Sequence, residues 1–137
     1  MDVFTYGSLM FPQVWNAVVK GEYRSHTGCV RGFLRRAVKN ETYPGLIRNG
    51  KATEVAGRVY FDVGAPDLQR LDRFEGAYYR REAVTVGLDE GGEVRAQVYL
   101  FRDEYRTLLA SHDWDVAWFE REGMARFLGG YKGFSCP

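Results

Sequence analysis

The chain has 137 residues, 45% hydrophobic and 15% aromatic, a composition that predicts one folded domain over residues 1–137 and excludes extensive disorder. The formal net charge is only +1, without the basic excess of proteins that bind nucleic acids or membrane surfaces, so we expect neither partner. Two cysteines cannot form a disulfide framework, and neither a signal peptide nor a membrane span of roughly 20 apolar residues is evident. We therefore expect a cytoplasmic location.

The predicted elements follow one another without a regular βαβ rhythm. In chain order they are a strand over residues 3–6, a helix over 11–20, an extended segment over 23–38, a turn at 43–45 before the apolar pair 46–47, a strand over 55–63, a helix over 66–75, strands over 83–88 and 94–101 joined at 89–92, and a helix over 114–128. Gly28 and Gly32 are expected to break the extended segment, and Ser111 or Asp113 to cap the last helix. Many strands and few helices predict an α+β fold with a sheet that closes towards a barrel.

The helix over residues 66–75 carries an acidic residue on its apolar face. Leu68, Leu71 and Glu75 are spaced i, i+3, i+7 and share one face, which must be the buried one. The other positions are polar and are assigned to the solvent: Asp67, Gln69, Arg70, Asp72 and Arg73. Burial and the carboxyl end of the helix both raise the pKa of Glu75, so this side chain can exchange a proton near neutral pH.

A second chemical motif is the turn Tyr6-Gly7-Ser8-Leu9, directly after the first strand. A glycine at this place lets the backbone turn sharply and present successive N–H groups to a ligand. Such donors, together with the Ser8 hydroxyl, suit a carboxylate. The turn is therefore a candidate anion-binding site.

Each motif also has a purely structural interpretation. Glu75 could form an ion pair with Arg80 or Arg81, or point into water from a frayed helix end. The glycine turn could simply end a strand.

Taken together, the two motifs resemble the γ-glutamylcyclotransferase-like family, which includes γ-glutamylamine cyclotransferases and the avirulence-induced plant proteins. The residues that carry the resemblance are Tyr6-Gly7-Ser8-Leu9, then Leu71-Asp72-Arg73-Phe74-Glu75-Gly76 and Tyr79-Arg80-Arg81. Residues 57–60 resemble the strand before the catalytic helix of the family, and residues 131–134 resemble its carboxy-terminal segment. The resemblance covers nearly the whole chain.

The resemblance implies a small mixed β-barrel with a few flanking helices and an enzyme that releases 5-oxoproline from a γ-glutamyl amide. Glu75 then matches the acid–base residue, and Tyr6, Gly7, Ser8 and Leu9 the substrate-binding turn. Further candidates for the substrate pocket are Tyr79, Arg81 and Tyr43. Neither a metal nor an organic cofactor is needed, and the small-molecule γ-glutamyl substrate is the expected partner.

Two alternatives stay open within this fold. The chain could be a non-catalytic domain that binds a small metabolite or a protein partner, or it could remove a γ-glutamyl group from a larger biosynthetic intermediate. The sequence determines neither the amine side of the substrate nor the oligomeric state.

Two other groups of residues give weaker evidence for a binding site. Arg31, Arg35 and Arg36 with Phe33 are interpreted as a solvated strand face rather than a surface for nucleic acid. His26 and His112 have no neighbours at metal-ligand spacing.

Overall fold

Seven strands and a few helical segments make up the described part of the chain. The structure is a computed structural model that describes residues 1–51 and 53–130. The strands are β1 (Val3–Thr5), β2 (Ser25–Arg31), β3 (Phe33–Ala37), β4 (Pro44–Arg48), β5 (Glu54–Tyr60), β6 (Tyr79–Leu88) and β7 (Glu93–Phe101). The helices are α1 (Pro12–Val18), α2 (Ala65–Glu75), α3 (Val116–Trp118) and α4 (Met124–Gly130). A π-helical turn at Phe119–Gly123 joins α3 to α4, and 3₁₀ turns occupy Ser8–Met10 and Asp103–Leu108.

Five of the strands close into a barrel in the order β1-β5-β2-β6-β7. Neighbouring strands are antiparallel except β1 and β7, which run parallel and close the barrel where Val3 pairs with Gln97. Strands β3 and β4 form a separate two-stranded sheet. The predicted α+β fold, with a small mixed β-barrel and a few flanking helices, is confirmed.

Apolar side chains pack in two adjoining clusters, one on each side of the barrel wall. Val3 and Phe4, successive residues of β1, belong to different clusters because side chains alternate along a strand. On the helical side, the Trp15 ring of α1 stacks on Tyr60 of β5 with the ring centroids 3.6 Å apart. Leu71 of α2 is fully buried in the same cluster, a burial that contributes about 1.5–3 kcal/mol. The two helices therefore cover one outer face of the barrel.

The two glycines predicted to break the extended segment behave differently. Gly32, with φ of 80°, separates β2 from β3 as predicted. Gly28 instead lies inside β2, where a Cβ atom would come within 2.7 Å of the Gly87 carbonyl oxygen on the neighbouring strand. The predicted break at Gly28 is wrong because this glycine permits a close approach of two strands.

Strand β6 begins at Tyr79, before the start predicted from its apolar pattern at residue 83. Arg80 and Glu82 conceal the first part of the strand in the sequence because both are charged. They form an ion pair at 2.6 Å, so two charged side chains fit side by side on the strand surface.

The last helix begins at Val116, two residues later than predicted, and neither Ser111 nor Asp113 caps it. The cap is Asp115, whose carboxylate accepts a hydrogen bond from the backbone N–H of Trp118 at 2.9 Å. The helical segment then continues through the π-helical turn to Gly130. Residues 131–134, named above for their resemblance to the family, lie outside the described residues.

Asp67, assigned above to the solvent, is buried at the start of α2. Its carboxylate accepts hydrogen bonds from the backbone N–H groups of Lys20 and Gly21 and from the Tyr23 hydroxyl, at 2.6–2.9 Å. Burial alone would raise the pKa of Asp67, but these donors lower it to about 2. The carboxylate thus ties the end of α1 to α2.

Across the described residues, no helix has the length and apolar character needed to cross a membrane.

Candidate active site

A cavity of about 280 Å³ opens where the carboxyl end of α2 faces the segment after β1. Seven of the eight residues proposed above for the site line this first cavity: Tyr6, Gly7, Ser8, Leu9, Tyr43, Glu75 and Tyr79. The chain brings them together because β1, β4, α2 and β6 all end or begin at this edge of the fold. Only Arg81 lies elsewhere, in a second cavity described below.

Residues 6–9 leave β1 and form a tight 3₁₀ turn. The Met10 N–H donates to the Gly7 carbonyl at 3.0 Å, and the Phe11 N–H donates to the Ser8 carbonyl at 3.2 Å. The backbone N–H groups of Gly7, Ser8 and Leu9 have no hydrogen-bond partner among the described residues. Because these donors lie at the wall of a cavity, they are available to an anionic ligand.

Gly7 is required by the packing around the turn. Its φ is −131°, so the positive φ that a sharp glycine turn suggests is not found. A Cβ atom at Gly7 would lie 2.8 Å from Cγ of Pro44, the first residue of β4. The hydroxyl of Tyr79 donates to the Pro44 carbonyl at 2.7 Å and holds this residue in place. Tyr79 thus supports the 6–9 turn through Pro44.

Arg35 braces the turn from the other side. Its Nη1 donates to the Tyr6 carbonyl at 2.9 Å, and its Nε forms an ion pair with Asp113 at 2.8 Å. The guanidinium group also lies over the Trp114 ring, 5.5 Å from the ring centroid. The solvated strand face expected for Arg35 is wrong, because only 13% of its side chain is exposed and Phe33 is buried.

Glu75 occupies the last turn of α2, on the side that also buries Leu68 and Leu71. The structural ion pair with Arg80 or Arg81 is excluded, since Arg80 pairs with Glu82 and Arg81 pairs with Asp72 at 2.9 Å. Within residues 1–51 and 53–130, Glu75 itself forms no ion pair and accepts no hydrogen bond. Its carboxyl group is therefore available to a ligand.

The environment of Glu75 favours its protonated form. Burial of the carboxyl group raises the pKa of Glu75 from 4.5 to about 8, and the nearby Asp72 carboxylate adds to the increase. Asp72 is held in place by Arg81 and by the Tyr99 hydroxyl, which donates to it at 2.7 Å. The pKa of Glu75 thus lies in the range in which a side chain can act as both acid and base near neutral pH.

Tyrosines form much of the remaining wall. The Tyr6 hydroxyl donates to the Tyr99 carbonyl at 2.7 Å. Burial raises the pKa of both Tyr6 and Tyr79 well above 10.0, so these hydroxyls remain neutral donors. Tyr99 was missed in the sequence because it lies in the apolar strand β7 and has no local pattern that distinguishes it from core residues.

A second cavity of about 300 Å³ adjoins the first at Glu75, Gly76, Tyr79 and Tyr99, which line both. Its other lining residues are charged: Asp72, Arg80, Arg81 and Arg102. Among the described residues, no three or more histidine, cysteine, aspartate or glutamate side chains are grouped as metal ligands would be.

Residues 3–116 match the family described as "Gamma-glutamyl cyclotransferase, AIG2-like". AIG2-like protein D of Arabidopsis thaliana is 31% identical over 141 aligned residues, covering 98% of this chain and 88% of that protein. A Methanocaldococcus jannaschii protein, provisionally named a gamma-glutamylcyclotransferase, is 32% identical over 114 residues, covering 82% of this chain and 93% of its own length. The solution structure of an Arabidopsis thaliana protein matches with a TM-score of 0.72 at 25% identity, covering 96% of this chain and 87% of that chain.

The chain therefore belongs to the gamma-glutamyl cyclotransferase, AIG2-like family, and the resemblance stated from its two motifs is confirmed. Membership identifies it as an enzyme of the γ-glutamylcyclotransferase-like kind.

Proposed function

We propose that the protein cleaves a γ-glutamyl amide by intramolecular aminolysis, with Glu75 as general acid and base. One observation carries the proposal. A carboxyl group that has no partner in the described chain shares a cavity with three backbone N–H groups that also have none. The raised pKa of Glu75, about 8, supports a role in proton transfer.

The reaction moves two protons from the α-nitrogen, which becomes the lactam nitrogen, to the leaving nitrogen, which becomes an ammonium group. The α-ammonium group of the substrate gives a proton to the Glu75 carboxylate, and the freed nitrogen attacks the γ-carbonyl carbon of its own chain. The new C–N bond closes the ring, Glu75 gives its proton to the leaving nitrogen, and the original amide C–N bond breaks. The ring nitrogen then gives its second excess proton to the Glu75 carboxylate, which passes it to the departing amine, so Glu75 ends ionised as it began. The products are 5-oxoproline and an amine or amino acid, and the balance includes no water, metal or organic cofactor.

The pKa of Glu75 suits both halves of this cycle. With a pKa of about 8, roughly one tenth of the Glu75 side chains are ionised at pH 7 and can accept the first proton. The conjugate acid is weak enough to remain protonated until the leaving nitrogen needs it. The attacking nitrogen belongs to the substrate, so the rest of the task is to hold the substrate in the cyclising conformation.

The 6–9 turn serves one of two roles in this scheme. Its N–H groups either anchor the glutamyl end of the substrate or stabilise the oxyanion that develops on the γ-carbonyl oxygen. Loss of anchoring raises KM, whereas loss of oxyanion stabilisation lowers kcat, so variants of the turn distinguish the two roles.

Two other functions use the same cavity. A non-catalytic metabolite-binding or partner-binding domain has no use for a proton-exchanging group, whereas the raised pKa of Glu75 suits proton transfer. Removal of a γ-glutamyl group from a larger biosynthetic intermediate uses the same chemistry on a bulkier leaving group.

Release of 5-oxoproline tests the proposal directly. The protein is incubated with a panel of γ-glutamyl amino acids, γ-glutamyl amines and a larger γ-glutamyl conjugate, and 5-oxoproline is measured by chromatography. We expect release that depends on Glu75. Binding of these compounds without 5-oxoproline from any of them would support the binding-only domain and refute the enzyme reaction proposed here.

A further inference from the structure

Arg102 is a half-buried arginine at the wall of the second cavity. Its backbone is fixed, because its N–H donates to the Tyr78 carbonyl at 2.8 Å. Its guanidinium group, in contrast, forms no ion pair within the described residues. The other two arginines of the cavity already have carboxylate partners, Arg80 with Glu82 and Arg81 with Asp72.

The charge of the second cavity favours an anionic ligand. Its lining contains three guanidinium groups and two carboxyl groups, those of Asp72 and Glu75. At neutral pH most Glu75 side chains are protonated, because burial raises the pKa of Glu75 to about 8. The lining is therefore positive, and a planar guanidinium group such as that of Arg102 matches the geometry of a carboxylate.

The position of this cavity relative to Glu75 indicates which part of the substrate it binds. If the glutamyl end of a substrate lies against the 6–9 turn, the scissile amide must lie at Glu75, which protonates the leaving nitrogen. Whatever is attached to that nitrogen continues away from the turn. Glu75, Gly76, Tyr79 and Tyr99 line both cavities, so the second cavity lies directly beyond the scissile bond.

We propose that the second cavity is the subsite for the leaving group and that Arg102 binds its carboxylate. This inference rests on the proposed function. It predicts that the enzyme prefers γ-glutamyl amino acids, or short peptides with a carboxylate at the same distance, over uncharged γ-glutamyl amines. The competing route for the leaving group runs along the aromatic rim of the first cavity, formed by Tyr43, Phe74, Tyr78 and Phe127, and would favour an uncharged amine.

The test compares two substrates that differ only in the carboxylate, γ-glutamyl-L-alanine and γ-glutamyl-ethylamine. We expect the wild-type protein to favour the alanine compound at least about 10-fold in kcat/KM. Arg102→Met should lower kcat/KM for the alanine compound about 10–100-fold, the range for a hydrogen bond to a charged group, and should change the ethylamine compound less than about 2-fold. Arg102→Lys should keep part of the preference.

The matched control is Arg106→Met, because Arg106 lies in the adjacent 3₁₀ turn, pairs with Asp103 and lines neither cavity. It should leave both substrates unchanged. Equal turnover of the two substrates by the wild-type protein, or an equal loss on both in Arg102→Met, would overturn the inference in favour of the aromatic rim.

A failure of the proposed function is recognised separately. If neither compound releases 5-oxoproline, the reaction proposed above is wrong, and calorimetric binding of the same two compounds decides the subsite. A preference of about 10-fold for the alanine compound that Arg102→Met removes would still support the carboxylate site. Equal affinities, or no binding of either compound, would refute it.

Discussion

Replacement of Glu75 by glutamine changes one atom of the side chain and removes its ability to accept a proton. General acid–base groups contribute about 10²–10⁴-fold to turnover, so kcat for 5-oxoproline release should fall by that factor. In the wild-type protein kcat/KM should rise with pH, and the midpoint of the rise should lie at about pH 8, the pKa that burial gives to Glu75. This midpoint should be absent from the pH profile of Glu75→Gln. The exposed Glu54, which pairs with Arg31 at 2.8 Å, supplies the control variant Glu54→Gln.

The same substitution should affect stability with a defined sign. Because the folded-state pKa of Glu75 lies above its ordinary value, the stability contribution is complete below pH 4.5 and is lost as the pH rises through about 8. The full pKa shift corresponds to a change of up to about 5 kcal/mol in the free energy of unfolding. Because Glu75 is partly exposed to solvent, we expect a change of about 1–3 kcal/mol. Thermal melts should therefore show Glu75→Gln several degrees more stable than wild type at pH 9 and similar to it at pH 5. A folded Glu75→Gln variant with near-normal turnover, or one destabilised at pH 9, would refute the reasoning.

Three further substitutions test the supports of the site. Gly7→Val should lower kcat/KM at least about 10-fold, because the new side chain collides with Pro44, and Pro44→Ala in the same protein should restore part of the loss in the kinetic assay. Arg35→Met should lower kcat/KM about 10–100-fold through its lost hydrogen bond to the turn, whereas Arg36→Met on the same strand should not; equal kinetics for the two variants would contradict the brace. Asp67→Asn should reduce the free energy of unfolding by about 1–3 kcal/mol at pH 7, and chemical denaturation should show the difference from wild type shrinking below pH 3.8 as the wild-type carboxylate becomes protonated.

The parts of the site that follow from local pattern could be predicted from the sequence. The helical spacing of Leu68, Leu71 and Glu75 identifies the buried face of α2, and Gly76 ends the helix where the pattern stops. The 6–9 turn is recognised because glycine directly follows a short apolar strand. Each of these signals lies within a few residues, so no knowledge of the rest of the fold is needed.

The parts that depend on distant partners could not be predicted. A charged residue is assigned to the solvent by its type alone, and Asp67 is an exception because its donors belong to another helix. Arg35 is an exception for the same reason, since its ion-pair partner Asp113 is 78 residues away. The second cavity combines α2 with residues from β6 and from the segment after β7, a combination that no local pattern contains.

The parallel closure of the barrel has a consequence for biosynthesis. β1 pairs with β5 and β7, so Val3 contacts Tyr60 and Gln97, and the segment that leads into the 6–9 turn lies between two strands that are synthesised much later. Contacts so distant along the chain form slowly, because a long loop must close before they are gained. On the ribosome, residues 6–9 are thus synthesised first, and the turn that they form reaches its final structure last. A nascent chain that stops before β7 would carry most of the residues of the cavity without being able to assemble it.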